Sequence, residues 1–213
     1  MDLASATQPT HDEKTAELFD QFDIEMKQLM GVHPVDLDDC RFLEITFEHV
    51  MLNVSMTETG IYVAHPVAAG DSVTPVRHFS PDVSIRYVVL HCMAFLLQLV
   101  ADDVEDSDAT PSNDDEKALA LYDQFDFDMK QYMGVQPAVL DDFRVMEITF
   151  EHFSLIVSVE ETGIYVSYQV AAGETMEPLG YFLPDVPIRS VVLSCMGILL
   201  QSVADDVEEP DVK

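Results

Sequence analysis

Glu44-Ile-Thr-Phe-Glu-His49 decides how this chain is built, because the same six residues return as Glu147-Ile-Thr-Phe-Glu-His152. Working outward, Asp20-Gln-Phe-Asp23 returns as Asp123-Gln-Phe-Asp126, and Glu58-Thr-Gly-Ile-Tyr-Val63 as Glu161-Thr-Gly-Ile-Tyr-Val166. An offset of about 103 residues aligns about 60 of about 97 positions identically and without a gap, the self-similarity of a duplicated unit. Two copies are too few for a solenoid, which needs about three. A fused homodimer is the expectation instead, since oligomers favour two-fold symmetry and fusion makes the pairing intramolecular. The chain divides into a polar tail at 1–11, a first repeat at 12–104, an acidic linker at 105–115 rich in Asp, Ser, Thr and Pro, and a second repeat at 116–209.

Periodicity places the elements of each copy. Leu18, Phe22, Met26 and Leu29 recur at helical spacing and Gly31 follows as a C-cap, so Glu13 to Met30 is expected to be an amphipathic helix. Phe42 to His49 alternates, with Glu44, Thr46 and Glu48 on one face and Ile45, Phe47 and His49 on the other, the pattern of a half-buried strand. Met51–Met56 and Ile61–Val67 repeat that theme across a turn at Glu58-Thr59-Gly60. The stretch from Asp71 to Phe79 has room for one short extra strand. From Pro81-Asp82 to about Ala101 a second helix is apolar nearly all round, which places it at the centre of the fused pair. The fold class read from the sequence is α+β: two tandem α-β-β-β-(β)-α units with antiparallel meander sheets, forming an intramolecular pseudo-dimer.

Charge narrows the partners. Forty Asp and Glu against ten Lys and Arg give a formal charge of -30. Nucleic acid needs a basic stripe that releases counterions, and anionic membranes need the same, so neither is an expected partner. With 48% hydrophobic residues, 12 Phe and 11 Met, the acidity does not signal disorder. The polar start lacks the basic and apolar regions of a secretory signal, and Arg86, His91 and Gln98 interrupt the longest apolar stretch. Three cysteines at unrelated spacings suit neither a zinc site nor a disulfide framework, so a cytoplasmic location is expected.

Chemical motifs are few. His49 and His152 recur and follow glutamates, but the other histidines have no counterpart in the second copy, and a metal site needs three or four converging ligands. Cys92 and Cys195 fall inside an apolar helix, where a thiol behaves as a small hydrophobe. The carboxylate-dense stretch from Asp102 to Glu116 lacks the glycine and ligand spacing of a calcium loop. The sequence has no phosphate-cradling Gly-rich loop, nucleophile elbow or His-Glu-x-x-His. The expectation is a non-enzymatic binding protein with no metal and no cofactor.

The opening helix ending in Met30-Gly31-Val32, the meander closing on Val67-Ala-Ala-Gly70, and the long apolar last helix followed by Asp102-Asp103 resemble the class I type III secretion chaperones, the CesT/SycE-like group. The resemblance implies an acidic cytosolic α/β protein that pairs two copies and holds the N-terminal segment of a secreted effector in an extended state. It departs from the group in its tandem fusion, and in an interval from Asp71 to Ser80 too short for the group's additional helix and strands, so the copies would pair through surfaces such as their final helices. The partner-binding residues it implies are Leu18, Phe22, Met26 and Leu29 in the first copy and Leu121, Phe125, Met129 and Tyr132 in the second, with main-chain bonds at a strand edge. The competing reading is an acidic nucleic-acid mimic that inhibits a DNA-binding protein, using the same charge to imitate a phosphate backbone. Further association of fused pairs is left open.

Overall fold

The structure, a computed structural model, describes residues 11–37, 42–66, 73–104, 113–168 and 177–207. The tail at 1–10, most of the linker and the Val67-Ala-Ala-Gly70 segment lie outside them. The first copy runs α1 (His11–Met30), β1 (Val35–Asp36), β2 (Phe42–Phe47), β3 (Val50–Thr57), β4 (Gly60–Pro66), β5 (Val73–Phe79) and α2 (Ile85–Asp102). The second runs α3 (Asp114–Tyr132), β6 (Ala138–Asp141), β7 (Val145–Phe150), β8 (Phe153–Glu160), β9 (Gly163–Tyr168), β10 (Glu177–Phe182) and α4 (Ile188–Val207). The protein is α+β, with each copy contributing a five-stranded antiparallel meander in chain order.

Local chemistry accounts for these boundaries. Alternation turns Leu43, Ile45 and Phe47 of β2 and Val50, Leu52, Val54 and Met56 of β3 into the core while their neighbours face outward. Gly31 and Gly134 end α1 and α3 with φ of 66° and 67°, a left-handed conformation that glycine adopts without a Cβ clash. The Ser84 side chain accepts from the Tyr87 amide, so α2 begins at Ile85 and not at the expected Pro81-Asp82. Likewise Asn113 caps α3 from the Glu116 amide at 2.8 Å, with Asp114, Asp115 and Glu116 in its first turn, so the end of the expected linker is already helix.

The extra strand for which Asp71 to Phe79 has room is present as β5. Two details differ from the expected unit. A short strand, β1 or β6, pairs outside β2 or β7, and it was illegible because Val35-Asp36 is too short to alternate. His49 and His152 do not end strands; they sit in two-residue turns between Phe47 and Val50 and between Phe150 and Phe153.

The core is continuous through both copies. Helix α2 packs against α4, each also against the middle of its own sheet, while α1 lies on α2 and α3 on α4. At the α2–α4 crossing Gly197 lies so close that a Cβ on it would stand 3.3 Å from the Ala94 carbonyl oxygen. Ala94 and Gly197 are equivalent positions of the repeat. The two last helices therefore cross at matching points of the two copies. Both helices are long and apolar enough to cross a membrane, but they are 72% and 61% buried within the protein, as core helices are.

Candidate functional site

The expected contact stripe is core. Phe22, Met26, Leu121, Phe125 and Met129 are fully buried, and their helices are pinned to α2 and α4 by that burial. Tyr132 is half-buried, with its ring edge-on to Phe47 of the other copy at 5.3 Å. Leu18 and Leu29 belong to α1, but their side chains lie outside the described residues. The stripe is therefore no open groove: helical spacing alone does not say whether an apolar face meets the protein's own sheet or a partner.

The open apolar surface lies at the seam instead. A cleft of about 570 Å³ runs along the α2–α4 crossing, walled by β4 and β5 on one side and by Leu179 of β10 on the other. Val76, Ala94, Phe95 and Gln98 line it together with their second-copy equivalents Leu179, Gly197, Ile198 and Gln201. Both copies thus contribute equivalent residues to the cleft, four pairs in all. Its size falls among small-molecule and side-chain pockets, of about 300–1,000 Å³, and its walls are largely apolar. The sequence carried one signal for it, since Gln98 and Gln201 are polar breaks at the same place in two otherwise apolar helices.

The strands beside the cleft are poor acceptors of another strand. Both β5 and β10 end their sheets, yet Pro75 and Pro178 each remove a main-chain donor there. The expected strand-edge mode thus finds little room at these two edges.

One charged triad and one equivalent ion pair also cross the seam. Arg86 of α2 donates to Glu25 of α1 at 3.1 Å and to Glu151 of the second copy. The equivalent Arg189 donates to Glu48 of the first copy. Glu48 and Glu151 both have φ of 54°, which is uncommon outside glycine, and the left-handed turn points each carboxylate across the seam. Asp128, the equivalent of Glu25, is fully covered and accepts from Gln124 at 2.6 Å. Burial pushes its carboxyl above the usual carboxylate range, against the opposing pull of Gln124 and Arg189.

The recurring histidines have a local role. His49 pairs with Asp103 at 2.8 Å and His152 with Asp206 at 2.9 Å, each linking a hairpin turn to the end of the last helix of its copy. Among the described residues no three His, Cys, Asp or Glu side chains converge to hold a metal ion. The Cys92 and Cys195 thiols are buried and pushed up to about 12, which keeps them protonated and unreactive.

Compared with protein-family models, with curated proteins and with solved structures, the chain matches none.

Proposed function

We propose that this protein is a fused homodimer of a non-enzymatic binding protein, and that it works as a type III secretion chaperone does, keeping the N-terminal segment of a secreted effector extended in the bacterial cytosol. The observation that carries this reading is the apolar cleft along the α2–α4 crossing, lined by equivalent residues of both copies. Its walls would take apolar side chains of the segment, and the strongly acidic exterior keeps a protein with such a cleft soluble and favours a basic effector segment. Pairing through α2 and α4 supplies what the resemblance requires of a chain without the group's additional elements. The burial of Phe22 and Phe125 moves the proposed contact from α1 and α3 to the cleft.

The acidic mimic is the second reading, favoured by one observation. Arg86, Arg144 and Arg189 are each paired with carboxylates of the same chain, so three of the ten cations are taken up within the fold and the net charge of -30 is carried by the other carboxylates.

A photoreactive amino acid in place of Gln201 tests both. The expected product, formed in host lysate at about 0.5 M salt where exposed ion pairs are largely screened, is a cross-link to one segment near the N-terminus of a secreted protein. Cross-linking only to a basic nucleic-acid-binding protein, and only at low salt, would replace the chaperone reading with the mimic.

A further inference from the structure

The cleft is two-fold along its middle and one-sided at its polar end. At the first-copy end stand Arg77 and His91, with Tyr87 behind them. Arg77 Nη2 donates to the Tyr87 hydroxyl at 2.7 Å, and Nη1 lies 3.0 and 3.1 Å from the two ring nitrogens of His91. The guanidinium also sits 5.1 Å from the ring centroid of Phe79 and 5.5 Å from that of Tyr87. In the second copy the positions of Arg77, Tyr87 and His91 hold Gly180, Ser190 and Ser194. Three residues that touch one another differ together, so the copies have diverged by a whole polar cluster.

Charge gives that cluster a direction. In a chain with four acidic residues for every basic one, Arg86, Arg144 and Arg189 each pair with a carboxylate, whereas no carboxylate of the described residues lies within ion-pair distance of Arg77. Its neighbours are aromatic rings and a hydroxyl. Rings hold a guanidinium in place through their negative faces without neutralising it, and a guanidinium fork has donors enough to take a carboxylate besides. Arg77 is also the one residue with a permanent positive charge among those lining the cleft.

We propose that the cleft is a binding site for a small apolar monocarboxylate, a single-tailed molecule of the fatty-acid kind, with its carboxylate on Arg77 and its tail along the α2–α4 seam beside Phe95 and Ile198. The apolar walls take the tail by burial, and the charge-assisted bond at one end fixes its direction. Because only the first copy carries the cluster, the site takes one ligand per chain and in one orientation. This inference does not depend on a protein client; where both are bound by the cleft, they compete.

The probe is decanoate, titrated calorimetrically into the full chain below its micelle concentration, beside decanol and decyltrimethylammonium. The overall field of the protein favours the cation, so a preference for the anion has to come from Arg77. One decanoate is expected per chain, bound about tenfold more tightly than the cation. Arg77→Met, which keeps the apolar stem, is expected to weaken decanoate about tenfold while leaving decanol unchanged. No saturable decanoate binding, two decanoates per chain, equal or tighter binding of the cation, or an unaltered Arg77→Met would overturn the proposal. Ile198→Trp fills the cleft from the other copy and away from Arg77. Its folding is checked by thermal melting, and decanoate binding that survives in the folded variant overturns the proposal as well.

Discussion

Arg86 pairs with Glu151 across the seam, and exchanging the two copies turns that contact into Arg189 with Glu48. A contact between positions i and j that recurs as j and i is the mark of an isologous interface, the kind a homodimer makes. The left-handed φ at both glutamates belongs to the same arrangement, since a residue with a Cβ is held there only when surrounding contacts fix it. Each pair is partly exposed, so its contribution is modest. Glu151→Gln and Glu48→Gln are each expected to lower stability by about 0.5–1 kcal/mol in urea unfolding, with the loss shrinking in 1 M salt. Unchanged midpoints for both variants would show that the pairs do not help hold the seam.

Burial of the first-helix stripe makes a second expectation sharp. Phe22 and Phe125 occupy equivalent core positions with no exposed surface. Phe22→Ala and Phe125→Ala are each expected to lower stability by about 3–5 kcal/mol, the usual penalty for emptying a packed aromatic site. Loss of partner binding in either variant with an unchanged unfolding midpoint would return the contact surface to α1 and α3.

The thiols offer a local probe of the seam. Cys92 lines the cleft and Cys195 is its equivalent in α4, and burial alone pushes both up to about 12. Alkylation followed by peptide mapping should leave both unmodified at pH 8 in the native protein and modify both in urea, because the thiolate is the reactive form. Modification of Cys92 without unfolding would mean that the seam opens in solution.

Much of the fold was legible because it rests on period. Alternation through Leu43, Ile45 and Phe47 and the near-continuous apolar run of α2 each admit few arrangements, and the duplication states them twice. The short strand Val35–Asp36 was not, since two residues carry no period and its pairing to Leu43 and Glu44 is a tertiary fact. The site was less legible still. Phe22 and Phe95 are both aromatic residues on apolar helix faces, and only the packing of α2 on α4 leaves one lining a cleft while the other is sealed in the core. The interest of Arg77 lies in what surrounds it, and its distance in sequence from Tyr87 and His91 hid that cluster. Its one visible trace was a difference between copies, Arg77 against Gly180.

Glu25 and Asp128 occupy equivalent positions beside equivalent arginines, yet only Glu25 makes an ion pair with its arginine among the described residues. The longer Glu25 reaches Arg86 at 3.1 Å, while Asp128, one methylene shorter, accepts from Gln124 and makes no ion pair with Arg189 among the described residues. Glu25→Gln removes a favourable pair and is expected to destabilise the protein at pH 7 by about 0.5–1 kcal/mol. Asp128 has a folded pKa raised above its unfolded value, chiefly by desolvation, so folding binds a proton there more readily than the unfolded chain does. Its contribution to stability is fully present below the unfolded pKa and is lost as pH rises through the folded pKa. At pH 7 the wild-type protein therefore carries a buried charge that Asp128→Asn does not, and the amide oxygen of asparagine can still accept from Gln124. The variant should be the more stable at pH 7, and its advantage should fall away as the pH is lowered through the raised folded pKa towards the ordinary Asp value. Urea unfolding of both proteins at a series of pH values measures that difference; an advantage that grows on acidification would show that Asp128 is held by Arg189 as a charged partner instead.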